Sequence, residues 1–234
     1  MKSDVALVIG ATSDIGTAIA EALLRAGAEV LLQGRPSPRL VGLADRLAAL
    51  GPCQAVAADL TRPDDIAELA GIVTRRGRLD TLILGSGIYE RSNDAAALAR
   101  QFAANVHGPY SILVALVPLL VAARGQILFL NSTQGLAAAK GLGQYAATQH
   151  ALRAIADSLR AEVNPDGVRV LSMFLGRTAT RRQRAIFALE GRPYLPERLI
   201  QPEDVAHAAL AALTLPRTAE ITQIMMRPML NHEA

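Results

Sequence analysis

Val5-Ala6-Leu7-Val8-Ile9-Gly10-Ala11-Thr12-Ser13-Asp14-Ile15-Gly16 is an apolar run that stops at a glycine and restarts with helical spacing. Five apolar residues bounded by glycine predict a buried strand, and Ile15–Ala26 predicts the helix that follows. Gly10 permits the tight turn between them. The first N–H groups of a helix, with its dipole, attract an anion such as a diphosphate. This stretch therefore predicts the opening unit of a parallel α/β sheet with a dinucleotide at its first turn. A purely structural turn is the competing reading. Asp14 is out of keeping with a phosphate loop, because its carboxylate opposes a diphosphate unless it turns away to cap its own helix.

The same alternation runs along the chain. Strands are expected at Val5–Ile9, Glu29–Gln33, Gln54–Ala57, Thr81–Leu84, Gln126–Leu130, Arg169–Phe174 and Ile221–Met225. Helices are expected at Ile15–Ala26, Pro38–Leu50, Pro63–Arg75, Ala95–Ala122, Gly143–Glu162 and Pro202–Leu213. Thr61 offers a hydroxyl cap ahead of Pro63, and Gln201-Pro202-Glu203-Asp204 places proline and two acids at a helix start. No repeat, low-complexity tract or linker interrupts the 234 residues, which predict one domain. Gly176 to Ile200 breaks the alternation, is rich in Arg and Pro, and is expected to be a mobile lid over the carboxyl ends of the strands.

Composition narrows the class. Apolar residues make up 51% and charged residues 19%, so a sizeable core is expected; with 3% aromatics and no Trp it must be aliphatic. The pI is near 9.4, yet the net charge is only +3 and no basic run is interleaved with aromatics, which argues against nucleic acid. The lone Cys53 fits a reducing compartment, and four scattered His give no metal-ligand spacing. The apolar N-terminal run is too short for a signal sequence, and Ile112 to Ala123 falls short of the ~20 residues that span a bilayer. A soluble cytoplasmic protein is expected. No Gly-x-Ser-x-Gly elbow suggests a hydrolase.

The second strand ends Leu32-Gln33-Gly34-Arg35, with no acid for a ribose 2′-hydroxyl and with Arg39 close behind. A guanidinium there suits a 2′-phosphate, which points to NADP rather than NAD, against a bland reading as a solvated loop arginine. Ser132 follows the fifth strand, and Tyr145 lies thirteen positions later in Gln144-Tyr145-Ala146-Ala147-Thr148-Gln149. Tyr145 and Gln149 share a helix face. A serine hydroxyl and a tyrosine phenol brought to one carbonyl carbon form an acid/base site for hydride transfer.

These motifs, in this order, resemble the short-chain dehydrogenase/reductase family over nearly the whole chain. Gly10, Ile15 and Gly16 match its Thr-Gly-x-x-x-Gly-Ile-Gly loop, with departures at Ile9 and Asp14. Asp59-Leu60 resembles the acid that meets the adenine ring. Asp80 to Gly87 resembles Asp-x-Leu-Val-Asn-Asn-Ala-Gly, so Gly85, Ser86 and Gly87 are expected against the cofactor. Phe174 to Thr180 resembles Pro-Gly-x-x-x-Thr, making Thr178 and Thr180 candidates for the nicotinamide side. The resemblance implies a doubly wound seven-stranded parallel sheet in the order 3-2-1-4-5-6-7. It also implies Ser132 orienting a carbonyl, Tyr145 exchanging the proton, and Asn105 relaying protons from the long preceding helix. The family's signature is Tyr-x-x-x-Lys, and Gln149 occupies the lysine position.

Glutamine can still bond a ribose but carries no charge, so reduction should survive better than oxidation. An unshifted phenol near pKa ~10 is expected without the lysine. His150 points elsewhere on the helix, Lys140 is expected in solvent, and His107 on a helix face. Arg177, Arg181, Arg182, Arg184, Arg192 and Arg198 crowd the expected lid, either as a solvated face or as a site for an acidic substrate. The expectation is an NADPH-dependent reductase of a small carbonyl substrate, associating as a homo-oligomer through its two long helices. The alternative is a non-catalytic NADP(H)-binding protein, and a structural protein with no cofactor is a third class.

Overall fold

Ala6 and Val8 of the first strand pack on one face of the sheet, Leu7 and Ile9 on the other, and all are buried. That double burial is why the run reads as continuous apolar sequence. The computed structural model describes residues 4–92 and 94–230. Seven parallel strands run β3-β2-β1-β4-β5-β6-β7: β1 (Val5–Ile9), β2 (Glu29–Gly34), β3 (Cys53–Ala57), β4 (Thr81–Leu84), β5 (Gln126–Ser132), β6 (Arg169–Leu175) and β7 (Gln223–Met226). The expected order is found, and the chain reverses its winding between β1 and β4.

One helix layer contains α1 (Asp14–Arg25), α2 (Pro38–Leu47) and α8 (Pro202–Leu213). Ile19, Leu23, Leu47, Val205 and Leu213 fill that side. The other contains α3 (Pro63–Arg76), α5 (Gly108–Ala123) and α6 (Gly143–Val163), which contribute Leu69, Val73, Leu116, Leu120 and Ala156. Phe129 and Phe174 are the only aromatics among the largest fully buried side chains, as the composition requires.

Several expectations are corrected. The long helix expected at Ala95–Ala122 is found over Ala95–Ala123, but it is not α-helical throughout: α4 (Ala95–Phe102) passes through a π turn at Ala103–His107 into α5, with Gly108 N–H donating to Ala103 O. The whole run 95–123 is apolar and long enough to cross a membrane by length and composition, which the stretch from Ile112 alone is not. Ile112, Leu113, Leu116 and Leu120 of this run lie fully buried in the domain core. Helix α2 stops at Leu47, and β7 begins at Gln223.

Thr61 does not cap α3. Its hydroxyl instead donates to Asp59, and Arg62 is the cap residue without a side-chain bond. At α8 the expected acid does act, because Asp204 accepts from Gln201 N at 2.9 Å. The segment from Gly176 to Ile200 is not irregular throughout. It carries α7 (Arg181–Leu189) and is pinned by a bridge between Thr178 and Ile200. Thr180 caps α7 by accepting from Gln183 N at 3.1 Å, and Phe187 buries its inner face.

Candidate active site

The carboxyl ends of the central strands open into a cavity of about 440 Å³. Its floor at the β1 turn depends on glycine. Gly10 has φ +78°, and a Cβ there would meet Gly85 O at 2.8 Å; a Cβ on Gly16 would meet Gly10 O at 2.3 Å. Ser13 caps α1, accepting from Gly16 N at 3.0 Å and donating to Gly10 O at 2.8 Å. Ser13, Asp14 and Ile15 line the cavity; Gly10, Thr12 and Gly16 shape the loop behind them.

Gln33 builds this loop and was not singled out by its sequence context. Buried at the end of β2, its Oε1 accepts from Gly10 N at 3.0 Å and its Nε2 donates to Ala58 O at 2.7 Å. One amide thus ties the turn after β1 to the end of β3. A polar residue in an otherwise apolar strand was the available signal.

Asp14 neither caps its own helix nor faces solvent alone. It crosses to α7, accepting from Arg181 N at 2.8 Å and pairing with the Arg181 guanidinium at 2.7 Å, while Arg39 stands 3.9 Å away. Arg181 also donates to Thr12 O at 3.0 Å. The phosphate loop and the lid helix are therefore fastened together by one carboxylate and one guanidinium.

Ser132, Tyr145 and Gln149 border the same cavity. Ser132 closes β5, and its Oγ accepts from Gln134 N at 3.2 Å, so the hydroxyl proton is available elsewhere. Asn131 fixes this corner: its Nδ2 donates to Gln149 O at 3.0 Å and its Oδ1 accepts from Ser132 N at 2.6 Å. That buried asparagine sets the strand end against α6 and escaped the sequence reading. Tyr89 packs edge-on against Tyr145 with ring centroids 5.4 Å apart.

Burial pushes the Tyr145 phenol above its ordinary pKa; the Arg182 charge and the Ser132 hydroxyl draw it down, and Tyr89 adds a small upward push. The expectation of an unshifted phenol is corrected by this desolvation.

Asn105 does not reach the cavity wall. It sits buried in the π turn, where its Oδ1 accepts from Ile88 N at 2.6 Å and its Nδ2 donates to Ile88 O at 3.0 Å and Thr148 Oγ1 at 3.1 Å. Gln149 Nε2 donates to the same Thr148 hydroxyl at 3.2 Å. Asn105, Thr148 and Gln149 thus form one buried chain of bonds.

The remaining candidates separate into two groups. Gly85, Ser86, Gly87, Thr178 and Thr180 line the cavity, although the Thr180 hydroxyl is engaged as the α7 cap. Arg35, Asp59 and Leu60 lie outside its lining. Asp59 bonds Thr61 N at 2.9 Å, and those bonds, aided by the charges of Arg35 and Arg62, hold its carboxyl below the usual range. Arg35 is exposed, and Arg39 is the arginine after β2 that borders the cavity. Lys140 is exposed, and His150 bonds its own helix at Ala146 O. Among the described residues no cluster of His, Cys, Asp or Glu could hold a metal.

The lid arginines are not simply solvated. Arg177 pairs with Glu190 at 2.9 Å and lies over the Phe187 ring, Arg184 lies over Tyr194, and Arg192 also reaches Phe187. Arg182 donates to Gly87 O.

The model of the short chain dehydrogenase family matches residues 4–190. A protein of Staphylococcus epidermidis named an uncharacterized oxidoreductase is 31% identical over 234 residues, covering 97% of this chain and 98% of its own. The alcohol dehydrogenase from the archaeon Thermococcus sibiricus, complexed with 5-hydroxy-NADP, superposes with a TM-score of 0.84 at 25% identity over 97% of each chain. A metagenomic short-chain oxidoreductase in complex with NADP does so at 0.84 and 27% identity, over 98% of this chain and 99% of its own. The sheet order, the glycine turn and a family match over most of the length agree, and the chain belongs to the short-chain dehydrogenase family of oxidoreductases.

Proposed function

We propose that this chain is an NADPH-dependent carbonyl reductase whose proton donor is Tyr145. The observation that carries the reading is the shared cavity: Ser132 and Tyr145 border the same space as the glycine loop at the β1 turn. The residues present fit a dinucleotide. Ser86 Oγ is buried with no hydrogen-bond partner among the described residues and belongs to a residue that lines this cavity, and the Gly10–Gly85 approach leaves no room for a side chain. The NADP-bound relatives support the choice of nucleotide. So do Arg39 and Arg35 after β2, with no acid in that turn to meet a ribose hydroxyl.

When bound, the dihydronicotinamide supplies the hydride. On this reading Ser132 donates its hydroxyl proton in a hydrogen bond to the substrate oxygen and orients it. The phenol of Tyr145 gives that oxygen its proton as the carbonyl becomes an alcohol, and the phenolate regains a proton from water at the cavity mouth. Its raised pKa suits this direction, since a protonated acid is what reduction requires. Gln149, in the position of the family's lysine, offers an amide to the ribose but no charge. Asn105 positions α6 through Thr148. The segment 176–200 is the substrate lid, and the substrate is a small carbonyl compound.

A second reading, a non-catalytic NADP(H)-binding protein, is favoured by Gln149 and by the carboxylate of Asp14 in the loop. The chain acts as a cytoplasmic homo-oligomer, dimer or tetramer, in this proposal. Tyr110 and Val114, one turn apart on α5, expose apolar surface for such a contact, and sedimentation as a monomer at micromolar concentration would overturn it. Fluorescence titration with NADPH and NADH, followed by turnover on a panel of ketones and aldehydes, tests the main reading. Tight NADPH binding with turnover abolished by Tyr145→Phe supports the reductase, and binding without turnover supports the second reading.

A further inference from the structure

We infer that Arg182, on the lid helix, supplies the positive charge that steadies the Tyr145 phenolate in place of the lysine this chain lacks. The inference rests on the reductase reading and adds a residue to it.

Four arginines border the cavity: Arg39, Arg177, Arg181 and Arg182. Two carboxylates answer them. Asp14 holds Arg181 and stands near Arg39, and Glu190 holds Arg177. Among the described residues Arg182 has no carboxylate within ion-pair distance and bonds only the carbonyl oxygen of Gly87. No carboxylate opposes its charge, and solvent reaches the exposed side chain.

That anchor ties the guanidinium to the segment whose Tyr89 packs on Tyr145. Gly87 precedes Ile88, which Asn105 holds by two hydrogen bonds, and Tyr89 packs its ring against Tyr145. The groups that act on the phenol come from three elements: the Ser132 hydroxyl from β5, the Tyr89 ring from the segment after β4, and the charge of Arg182 from α7, which borders the same cavity. Gln149 shares its helix and is neutral; Tyr89 feels the positive charge of Arg91 and the two opposed charges of the Arg177–Glu190 pair. Arg182 is thus a cation without a paired carboxylate beside a phenol whose ionised form burial destabilises. An attractive charge in a partly desolvated site stabilises the phenolate left when the proton departs.

The same helix is tied to both sides of the cavity. Arg181 fastens α7 to the phosphate loop through Asp14, and its neighbour Arg182 reaches across the opening to Gly87.

The test compares wild type, Arg182→Gln, Arg182→Lys and the double variant Arg182→Gln/Gln149→Lys. The first readout is the pH dependence of oxidative kcat/KM with NADP and an alcohol. Arg182→Gln should move the alkaline limb up by about one pH unit, a tenfold loss below it. Arg182→Lys should recover most of this, and the double variant should bring the limb back down because the second charge enters from α6. The second readout needs no turnover. The chain has four Tyr and no Trp, so ultraviolet titration of phenolate, with Tyr145→Phe subtracted, reports Tyr145 itself.

An unmoved limb and an unmoved phenolate titration in Arg182→Gln overturn the inference, as does a change confined to KM, which would mark Arg182 as a substrate contact. If the wild type oxidises and reduces nothing, the reductase reading falls. The phenolate titration then decides on Arg182 alone: a raised midpoint upholds the pairing and an unchanged one ends it.

Discussion

Replacing Asp14 with alanine should weaken the empty protein and strengthen its hold on NADPH, two effects of opposite sign from one carboxylate. In the structure Asp14 accepts the first N–H of α7 at 2.8 Å and pairs with the Arg181 guanidinium at 2.7 Å. Its side chain is 27% exposed and that of Arg181 48%, so solvent screens the pair to at most about 1 kcal/mol. The charge-assisted bond to a backbone N–H at a helix start adds about 1–2 kcal/mol. Alanine is a good helix former at the first position of α1 and brings no new strain. The loss is therefore about 2 kcal/mol, or a melting temperature about 4–8 °C lower for a chain of this size.

Binding should move the other way. A carboxylate beside a diphosphate repels it, and at the effective dielectric of a protein surface one such contact costs a few kcal/mol before salt screening. Arg181, once released, is free to meet the phosphates. A net gain of about 1.4 kcal/mol, tenfold in Kd, is the conservative expectation. Thermal melts by circular dichroism with and without NADPH, and a fluorescence titration at two ionic strengths, measure both quantities. If stability and NADPH affinity fall together in Asp14→Ala, Asp14 is a strut of the binding site and not a competitor for it.

Arg39→Ala and Arg35→Ala should each cost NADPH roughly 1.5–3 kcal/mol and NADH little, and equal losses for both nucleotides would count against a 2′-phosphate contact. Gln149→Lys should raise oxidative activity more than reductive activity, because only oxidation needs Tyr145 deprotonated beforehand. Since burial raises the phenol, wild-type oxidation should climb with pH beyond the ordinary tyrosine range while reduction falls over the same interval, and the lysine substitution should shift both limbs downward. A lysine variant that binds NADPH yet gains no turnover on any carbonyl or alcohol would give the non-catalytic reading precedence. Gln33→Ala strips partners from Gly10 N–H and Ala58 C=O and should destabilise the fold by about 2–4 kcal/mol; an unchanged urea midpoint would refute that assignment.

What could be read from the sequence follows how local each signal is. The strands were legible because each is a short apolar run ending in glycine or polar residues, and their boundaries moved by no more than two residues. The glycines at positions 10 and 16 announced a turn because no other residue fits it. Helix α7 was missed because its arginines look like a solvated loop. Its start was nevertheless written in Thr180-Arg181-Arg182-Gln183, a hydroxyl followed three residues on by glutamine. The partner of Asp14 could not be foreseen, since Arg181 lies 167 positions along the chain. The role of Gln33 was not legible, because its two backbone partners, Gly10 and Ala58, lie more than twenty positions away on either side. The pairing of Ser132 with Tyr145 was legible only through resemblance, because spacing alone does not bring a strand end to a helix face.

The π turn at Ala103–His107 works as a change of phase along one rod. An α-helix advances each residue by about 100°, and a turn closed over five residues absorbs one more residue than the regular ladder allows. The residues before the turn are thereby rotated against those after it. Ahead of it, Gln101 faces Gln144 and the backbone of Glu90; behind it, Ile112 and Leu116 face the sheet. One unbroken helix so serves two differently aimed surfaces with no loop between them, and Asn105 sits at the node where the aim changes. Deleting a single residue inside the turn would keep the rod helical while swinging α4 by nearly a third of a revolution. The wall of the cavity that α4 supports would be turned aside, and the sheet beneath α5 would hardly notice.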